Sequence, residues 1–299
     1  MMKPVLRVNG SGASAVDGRP AVDIRKAAWN WSMIASALVF GPPSFTWGAL
    51  SMACVLTYIT LLVGHSAGMH RMMIHRTYQC PKWLERILIY VGVIVGMAGP
   101  YSILRIHDLR DWAQRQQRCH DFFSHRRGYL QDIFWQLTCQ FEFARPPQFR
   151  IEQELAEDRW LRFFESTWRW QQLPVAGLLY LAGGWPWVVW GIFVRVSIGI
   201  VGHWTITYFC HNPGPGRWRV KEASVQASNI PGIGILTYGE CWHNNHHAFP
   251  ESARIGLERG QVDPSWVFIY CLGKIGWARD IGLPRPADQR EDLLRIEAA

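Results

Sequence analysis

Three histidines in the C-terminal third of the chain have the spacing of a metal-binding helix face. His243, His246 and His247 stand at positions i, i+3 and i+4, so on a helix their side chains share one face. Three imidazoles that converge on one patch repel one another when protonated and are difficult to satisfy in an apolar core. Neutral imidazole is a common ligand of iron and zinc, and the spacing therefore predicts a metal site.

Two more histidines, His70 and His75, are five residues apart. On an ideal α-helix this spacing separates the side chains by about 140 degrees, which is too wide for one metal face. The pair is compatible with metal binding at the end of a helix, or if each histidine binds a different metal ion. Alone this spacing is a weak signal, and both residues are predicted as ligands because the longer motif around them resembles that of a known family.

His107 is followed four residues later by Asp111, so on a helix these side chains also share a face. Asp111 offers a carboxylate oxygen, and carboxylate with imidazole suits non-haem iron. Arg110 cannot be a ligand, because its guanidinium has no free lone pair. We predict His107 and Asp111 as ligands because a resemblance of this motif to that of a known family adds to the spacing, with a surface ion pair as the alternative role of Asp111.

His203, Thr207 and His211 are four residues apart and form one stripe of a helix. Ionisable groups in a membrane helix are candidates for function, and we predict His211 as a ligand. The remaining polar residues near these motifs are predicted as neighbours of the ligands or as alternative ligands: His65, His120, His125, His203 and Thr207. For His120 and His125, surface histidines in a charged loop are the competing interpretation.

The predicted ligands are seven imidazoles and one carboxylate: His70, His75, His107, Asp111, His211, His243, His246 and His247. Seven nitrogen donors are too many for one mononuclear site and suit two metal ions. The elements that carry these residues must therefore bring distant parts of the chain to one place.

Long apolar stretches lie between the histidines, and about 20 apolar residues cross a bilayer. We predict four membrane spans, at about 27–43, 45–64, 167–183 and 186–210. The apolar run Ile87–Gly99 is short and is predicted not to span, because His107 must lie on the same side as His70. The predicted fold class is an all-α integral membrane protein with four transmembrane helices and a cytosolic helical cap that holds the histidines.

The composition agrees with a membrane protein that has charged segments outside the bilayer. Hydrophobic residues make up 49% of the 299 residues, and the 17 tryptophans favour the membrane–water interface. The net charge of +8 comes from basic residues that flank apolar runs, which favours cytoplasmic loops over nucleic-acid binding. Seven cysteines without a C-x-x-C pair argue against a disulfide framework or a zinc ribbon.

The charges also predict the topology. Arg25 and Lys26 precede the first predicted span, and the turn at 41–44 is uncharged, so the N-terminus is expected in the cytosol. Four spans then leave both termini cytosolic, with 41–44 and 183–186 outside. The polar, Gly- and Ser-rich N-terminus is expected to be disordered. The predicted organisation is a disordered tail at 1–24, a membrane domain at 25–284 and a polar tail at 285–299.

The segment Gly239–Pro250 reads G-E-C-W-H-N-N-H-H-A-F-P. It resembles the third histidine box of the membrane fatty-acid desaturases, the stearoyl-CoA desaturase-like family, whose pattern is G-E-x-W-H-N-x-H-H-x-F-P. The pattern A-G-x-H-R-x-x-x-H-R around His70 and His75 is similar to the first box of that family. The resemblance covers roughly residues 27–284.

The second box departs from the family pattern H-x-x-H-H. Here it reads H-D-L-R-D, so Arg110 and Asp111 stand where the family has two histidines. The longer motif H-D-L-R-D-W-A-Q-R-Q is similar to a bacterial subgroup of desaturase-like sequences. At the end of the last span the family has N-x-x-x-H, and here Thr207 stands in the asparagine position before His211.

The resemblance implies a diiron enzyme that uses O2 to insert a double bond into a saturated acyl chain, with Δ9-like regiochemistry. It implies two iron ions, an acyl-CoA or lipid-linked substrate, and a separate electron donor such as ferredoxin or cytochrome b5 with its reductase. The implied location is a bacterial inner membrane. Candidate contacts to a substrate headgroup are Arg71, Arg76, Arg110 and Arg115. A hydroxylase on the same scaffold, a membrane zinc hydrolase and a lipid-binding homologue without redox chemistry remain the alternatives.

Overall fold

The apolar stretches form long helices, and the charged stretches between them form short helices and strand pairs. A computed structural model describes residues 6–296. The helices are α1 (Ile24–Phe40), α2 (Trp47–Ile74), α3 (Lys82–Ile94), α4 (Pro100–Arg115), α5 (Asp121–Ser124), α6 (Tyr129–Thr138), α7 (Gln153–Ala156), α8 (Arg159–Thr167), α9 (Gln172–Val188), α10 (Arg195–Cys210), α11 (His243–Ala248) and α12 (Pro264–Lys274). The strands are β1 (Val8–Asn9), β2 (Gly18–Val22), β3 (Cys139–Phe143), β4 (Gln148–Phe149), β5 (Trp218–Val220) and β6 (Leu293–Arg295). Short 3-10 turns occupy Pro42–Ser44 and Ala287–Gln289.

Within residues 6–296, two helical stretches are long and apolar enough to cross a membrane. They are α2, with 28 residues, and Gln172–Cys210, with 39 residues, in which α9 continues into α10. The second stretch is broken at Gly184, whose φ of 67° and ψ of −160° are not helical. Glycine adopts such a conformation readily, and the break falls in the turn predicted at 183–186. α1 has 17 residues, the lower end of the length that spans a bilayer.

The second half of α2, Thr60–Ile74, is π-helical, with a wider turn than an α-helix. The backbone N–H of His75 donates to the carbonyl of His70 at 3.1 Å, an i to i+5 hydrogen bond. Residues five apart therefore stack one turn above the other here, as residues four apart do on an α-helix. The five-residue spacing of His70 and His75 matches this wider turn.

α3 lies along the π-helical half of α2, and glycines allow their backbones to approach closely. A Cβ atom on Gly64 of α2 would lie 2.3 Å from the backbone nitrogen of Gly92 in α3. The histidine end of α2 is further fixed by a buried apolar cluster formed with α3, α4 and α12. The cluster includes Met69, Met72, Leu88, Leu104 and Ile269. α3 overlaps the segment that is predicted not to span the membrane. The packing of α2 and α4 in this apolar cluster sets their relative position.

The disordered N-terminal tail predicted for 1–24 is wrong for the described part of that range. β2 pairs antiparallel with β3, from Gly18 opposite Phe143 to Val22 opposite Cys139. β1 pairs in the same way with β4. This segment is folded despite its polar composition, because its backbone groups form hydrogen bonds with strands about 120 residues away in the sequence. Composition alone does not reveal such contacts. Residues 1–5 lie outside the described residues.

The predicted polar C-terminal tail also makes a strand pair. β6 pairs antiparallel with β5, with Leu293 opposite Val220, and Leu293 is buried. The pair lies beside α11, since Asn244 of that helix bonds to the backbone of Trp218. The C-terminal segment therefore supports the helix that carries the third histidine motif. Residues 297–299 lie outside the described part of the chain.

Candidate metal centre

Seven histidines form two groups in the part of the chain that the structure describes. Histidine group A consists of His70, His75, His107 and His246, and histidine group B consists of His211, His243 and His247. In each group, one ring nitrogen from every member lies within 4.8 Å of those of the other members. These are the seven histidines predicted from the sequence as ligands, and the fold divides them four and three.

Group A is assembled from residues of three helices, α2 with the residue that follows it, α4 and α11. α2 brings His70 and His75 together, with ring centroids 4.9 Å apart, and α4 contributes His107, whose Nε2 lies 3.2 Å from Nε2 of His75. The ring of His246 from α11 lies 4.6 Å from the rings of both His70 and His75. The wide turn of α2 thus places two imidazoles of the first motif in one group.

Group B lies where α10 ends beside α11. Nε2 of His243 and Nε2 of His247 are 3.1 Å apart, and the ring of His211 lies 4.8 Å from that of His243. His211 Nδ1 donates to the backbone carbonyl of Thr207 at 2.7 Å, so its Nε2 carries the lone pair. That Nε2 is buried and has no hydrogen-bond partner in the part of the chain that the structure describes, as expected of an atom that receives a metal ion.

α11 joins the two groups. His243 and His247 are four residues apart and belong to group B, whereas His246 belongs to group A. The sequence predicts one shared face for all three. The structure differs from this prediction because α11 lies between the two groups. The rings of His243 and His246 are only 5.5 Å apart, yet each belongs to a different group.

Carboxylates orient the imidazoles of group A. Glu240 Oε2 accepts from His70 Nδ1 at 2.8 Å, and Glu240 is held in turn by Ser66 and Arg71. Asp108 Oδ1 lies 3.3 Å from Nδ1 of His107. A hydrogen bond at Nδ1 leaves Nε2 as the donor to a metal ion and fixes the ring orientation. Sequence analysis missed both carboxylates, although each is adjacent to a histidine motif.

The surroundings of five of these histidines favour the neutral form, which is the form that binds a metal ion. Desolvation, followed by the proximity of other imidazoles, holds the pKa of His75, His211, His243 and His246 well below its ordinary value. Desolvation, with neighbouring arginines, lowers the pKa of His247 to about 3 against the opposing effect of Asp111. Seven imidazoles in two groups fit two metal ions of the kind that nitrogen ligands prefer.

Asp111 lies beside both groups and within neither. Its Oδ2 is 3.8 Å from Nδ1 of His107, and its Oδ1 is 3.9 Å from Nε of Arg110. Burial would raise the pKa of the Asp111 carboxyl, but His107, His247 and Arg110 lower it well below its ordinary value. Oδ1 is buried and has no hydrogen-bond partner among the described residues, and the ion pair with Arg110 stays the alternative role of Asp111.

The predicted neighbours of the ligands take different positions. The rings of His65 and His203 contact each other, with centroids 5.1 Å apart. His120 accepts a hydrogen bond from the backbone N–H of Phe122 and lies outside both groups. Thr207 contributes its backbone carbonyl to His211. His125 is fully buried and stacks on the ring of His211, with centroids 5.2 Å apart.

The four arginines predicted at a headgroup site are not equivalent. Arg71 is buried and bonds to Asp263 and Glu240, so its guanidinium is already neutralised inside the protein. Arg110 is also buried, beside Asp111. A role of Arg71 and Arg110 at an exposed headgroup is therefore a wrong prediction. The reason is that a basic residue in the sequence does not reveal whether a buried carboxylate will be its partner.

Arg76 and Arg115 lie at a cavity of about 840 Å³ beside group A. The cavity is also lined by His75, Asp111 and Trp112. Arg76 pairs with Glu152 at 3.1 Å, and Arg115 donates to the backbone carbonyl of His247 at 3.1 Å. Both guanidinium groups are accessible from a space that reaches a histidine of the candidate metal centre.

Comparison with known sequences agrees with this geometry. Residues 44–256 match the family profile described as fatty acid desaturase. The chain belongs to the fatty acid desaturase family. It is therefore an oxidoreductase that acts on fatty acyl chains. Desaturases generally use a diiron centre, and this chain has two clustered groups of histidines.

Several curated relatives align with this desaturase over most of its length. The sn-1 stearoyl-lipid 9-desaturase of Anabaena variabilis is 33% identical over 261 residues, which cover 86% of this chain and 92% of the relative. The sn-1 stearoyl-lipid 9-desaturase of Synechocystis sp. is 32% identical over 84% of this chain and 77% of the relative. The acyl-CoA C20 Delta5-desaturase of Anemone leveillei is 32% identical over 85% of this chain and 80% of the relative.

Proposed function

We propose that this protein is a membrane diiron acyl desaturase that inserts a double bond, with Δ9-like regiochemistry, into a saturated acyl chain carried by CoA or a lipid. The observation that carries the proposal is the division of seven imidazoles into two adjacent groups that share α11. Two bound iron ions would supply the oxygen activation and hydrogen abstraction that an unactivated methylene requires. The electrons would come from a separate donor such as ferredoxin or cytochrome b5.

The proposed ligands follow the two groups. One iron ion would be held by group A and the other by group B, with ring orientation set by Glu240, Asp108 and the carbonyl of Thr207. Asp111 would add a carboxylate oxygen, since its unpartnered Oδ1 lies beside both groups. The negative charge of Asp111 would favour the more oxidised state of the irons. The positive charge of Arg110 beside it would partly offset that charge.

Membrane topology follows from the position of the histidines. The C-terminal ends of α2 and α10 both contribute to the centre, so both helices must end on the same side of the bilayer. We propose four spans, with a break at Gly184, both termini in the cytosol and the metal centre in a cytosolic cap. Membrane-impermeant labelling of single cysteines tests this arrangement: reaction at residue 290 in intact bacteria would contradict it, and reaction at residue 43 supports it.

The substrate is proposed to enter with its headgroup at the cavity lined by Arg76 and Arg115, where a phosphate or another anionic group would meet two guanidinium groups. The names of the relatives include both stearoyl-lipid and acyl-CoA substrates, so either carrier is consistent with this proposal.

Expression in a host without its own desaturase, followed by mass spectrometry of total fatty acids, tests the reaction. A desaturase yields new monounsaturated chains, and derivatisation locates the double bond. Hydroxy fatty acids would instead identify a hydroxylase, and zinc without iron in the purified protein would identify a hydrolase. A protein that binds no metal and yields no new product would contradict an enzymatic function.

A further inference from the structure

The two histidine groups are unequal in the number of nitrogen donors. Group A has four imidazoles and group B has three. Arg110 is buried beside Asp111, but its guanidinium has no lone pair to offer a metal ion. Asp111 is proposed above to add a carboxylate oxygen, and a fourth nitrogen donor for group B would have to come from another nearby side chain.

His125 is the side chain that meets this requirement. It follows the short helix α5, is fully buried, and its ring stacks on that of His211 of group B, with an interplanar angle of 28°. Its Nε2 is buried and has no hydrogen-bond partner within residues 6–296. Burial of an unpartnered ring nitrogen is unfavourable, and a metal ion or an ordered water normally satisfies such an atom.

A buried carboxylate determines which ring nitrogen of His125 carries the lone pair. Nδ1 of His125 lies 3.0 and 3.1 Å from the two carboxylate oxygens of Asp132, and both residues are fully buried. Because a carboxylate only accepts, Nδ1 carries the proton and Nε2 carries the lone pair. A carboxylate behind an imidazole is the arrangement that orients histidine ligands of metal ions.

The backbone of His125 is also held in an uncommon conformation. Its φ of 54° and ψ of 30° are left-handed, which is infrequent for a residue other than glycine. Its carbonyl accepts a hydrogen bond from Nδ2 of Asn212 at 3.0 Å, and Asn212 directly follows His211. Uncommon backbone conformations persist where surrounding contacts enforce them, often at functional sites. These contacts tie His125 to the element that carries a member of group B.

We propose that His125 is the fourth nitrogen ligand of the metal ion bound by group B, and that Asp132 is the positioning residue that orients it. The proposal rests on the proposed diiron function and identifies a ligand in a loop outside the three histidine motifs. His125 stands beside the three nitrogens of group B rather than within 4.8 Å of them all, so binding of the ion must draw its ring inward.

The test is the iron content of the purified His125→Asn protein. Asparagine keeps an N–H near the position of Nδ1, so the bond to Asp132 can persist, and it tolerates left-handed backbone better than most residues. It lacks any atom at the position of Nε2. We expect the wild-type protein to hold two iron ions per chain and the variant to hold about one, because group A does not include His125.

The matched control is His120→Asn, five residues earlier, which should keep two iron ions. Asp132→Asn retains the imidazole and provides a second measurement if His125→Asn does not fold. We expect its group B ion to bind roughly 10–100-fold more weakly, as changes behind a histidine ligand do, so that a chelator removes one of the two ions much faster than the other.

The outcomes separate the inference from the function. If His125→Asn and Asp132→Asn both keep two iron ions with wild-type resistance to the chelator, His125 is not a ligand and the diiron function stands. If the wild-type protein itself holds no iron, the proposed function fails and the inference fails with it. Loss of both ions from a folded His125→Asn protein would also overturn the inference, because it would show a general structural role.

Discussion

Arg7 connects the N-terminal segment to group A, and its removal should destabilise the protein. The side chain is buried and bonds to Glu152 at 2.7 and 2.9 Å and to Asp108 at 3.0 Å. It also donates to the carbonyls of Met73 and Ile74, at 3.3 and 3.0 Å, where α2 ends. A cation that satisfies carbonyls at a helix C-terminus is stabilising.

The size of the effect follows from the exposure of the partners. Removing one member of a fully buried ion pair costs about 3–5 kcal/mol, because the other charge is left unpaired. The side chains of Asp108 and Glu152 are 15% and 25% exposed, so water can solvate them in part. For Arg7→Met, which keeps the aliphatic bulk, we therefore expect a loss of about 2–3 kcal/mol in the free energy of unfolding.

The assay is denaturant unfolding of the purified protein in detergent, with the rate of iron release to a chelator as a second readout. Asp108 orients His107, so loss of its cationic partner should also speed the release of iron from group A. Arg145→Met is the matched control. It breaks a pair with Asp17 that ties down the same segment but is exposed, and exposed pairs contribute little.

A specific result would refute this reasoning. If Arg7→Met and Arg145→Met unfold at the same denaturant concentration and release iron at the same rate, the N-terminal segment does not support group A. The pairing of β1 with β4 would then be only a surface contact.

Three further substitutions test the centre and the packing around it. His246→Ala should remove iron and activity. The protein should still insert into the membrane, because the residue lies outside the predicted spans. Normal iron content and turnover in this variant would exclude group A as a metal site. Asp111→Ala should lower iron occupancy and abolish turnover, and Asp111→His should retain part of both; two irons and near-normal activity in Asp111→Ala would show that the carboxylate is not a ligand. Gly64→Ala should cost about 1–3 kcal/mol of stability by forcing α2 away from Gly92 of α3. Gly177→Ala, whose added Cβ meets no atom of the described residues within 4 Å, should be neutral or stabilising in the same denaturant unfolding assay.

Local features of the chemistry could be predicted from the sequence. The spacing of His243, His246 and His247 indicates a helix that presents imidazoles to metal ions, because a helix converts spacing into direction within one turn. The apolar runs predict α2 and the bend near Gly184, because hydrophobicity and glycine act on their own segment. The number of histidines is itself sufficient to predict two metal ions rather than one.

The tertiary structure decided which of these residues meet. His246 and His247 are adjacent in sequence and belong to different groups, since each meets partners from a different helix. The pairing of β2 with β3 depends on contacts between distant segments, and no local pattern encodes it. The position of His125 against Asp132 and His211 has the same origin. The physical reason is that local sequence sets the direction of a side chain on its own element, whereas packing between elements sets the distance to its partners.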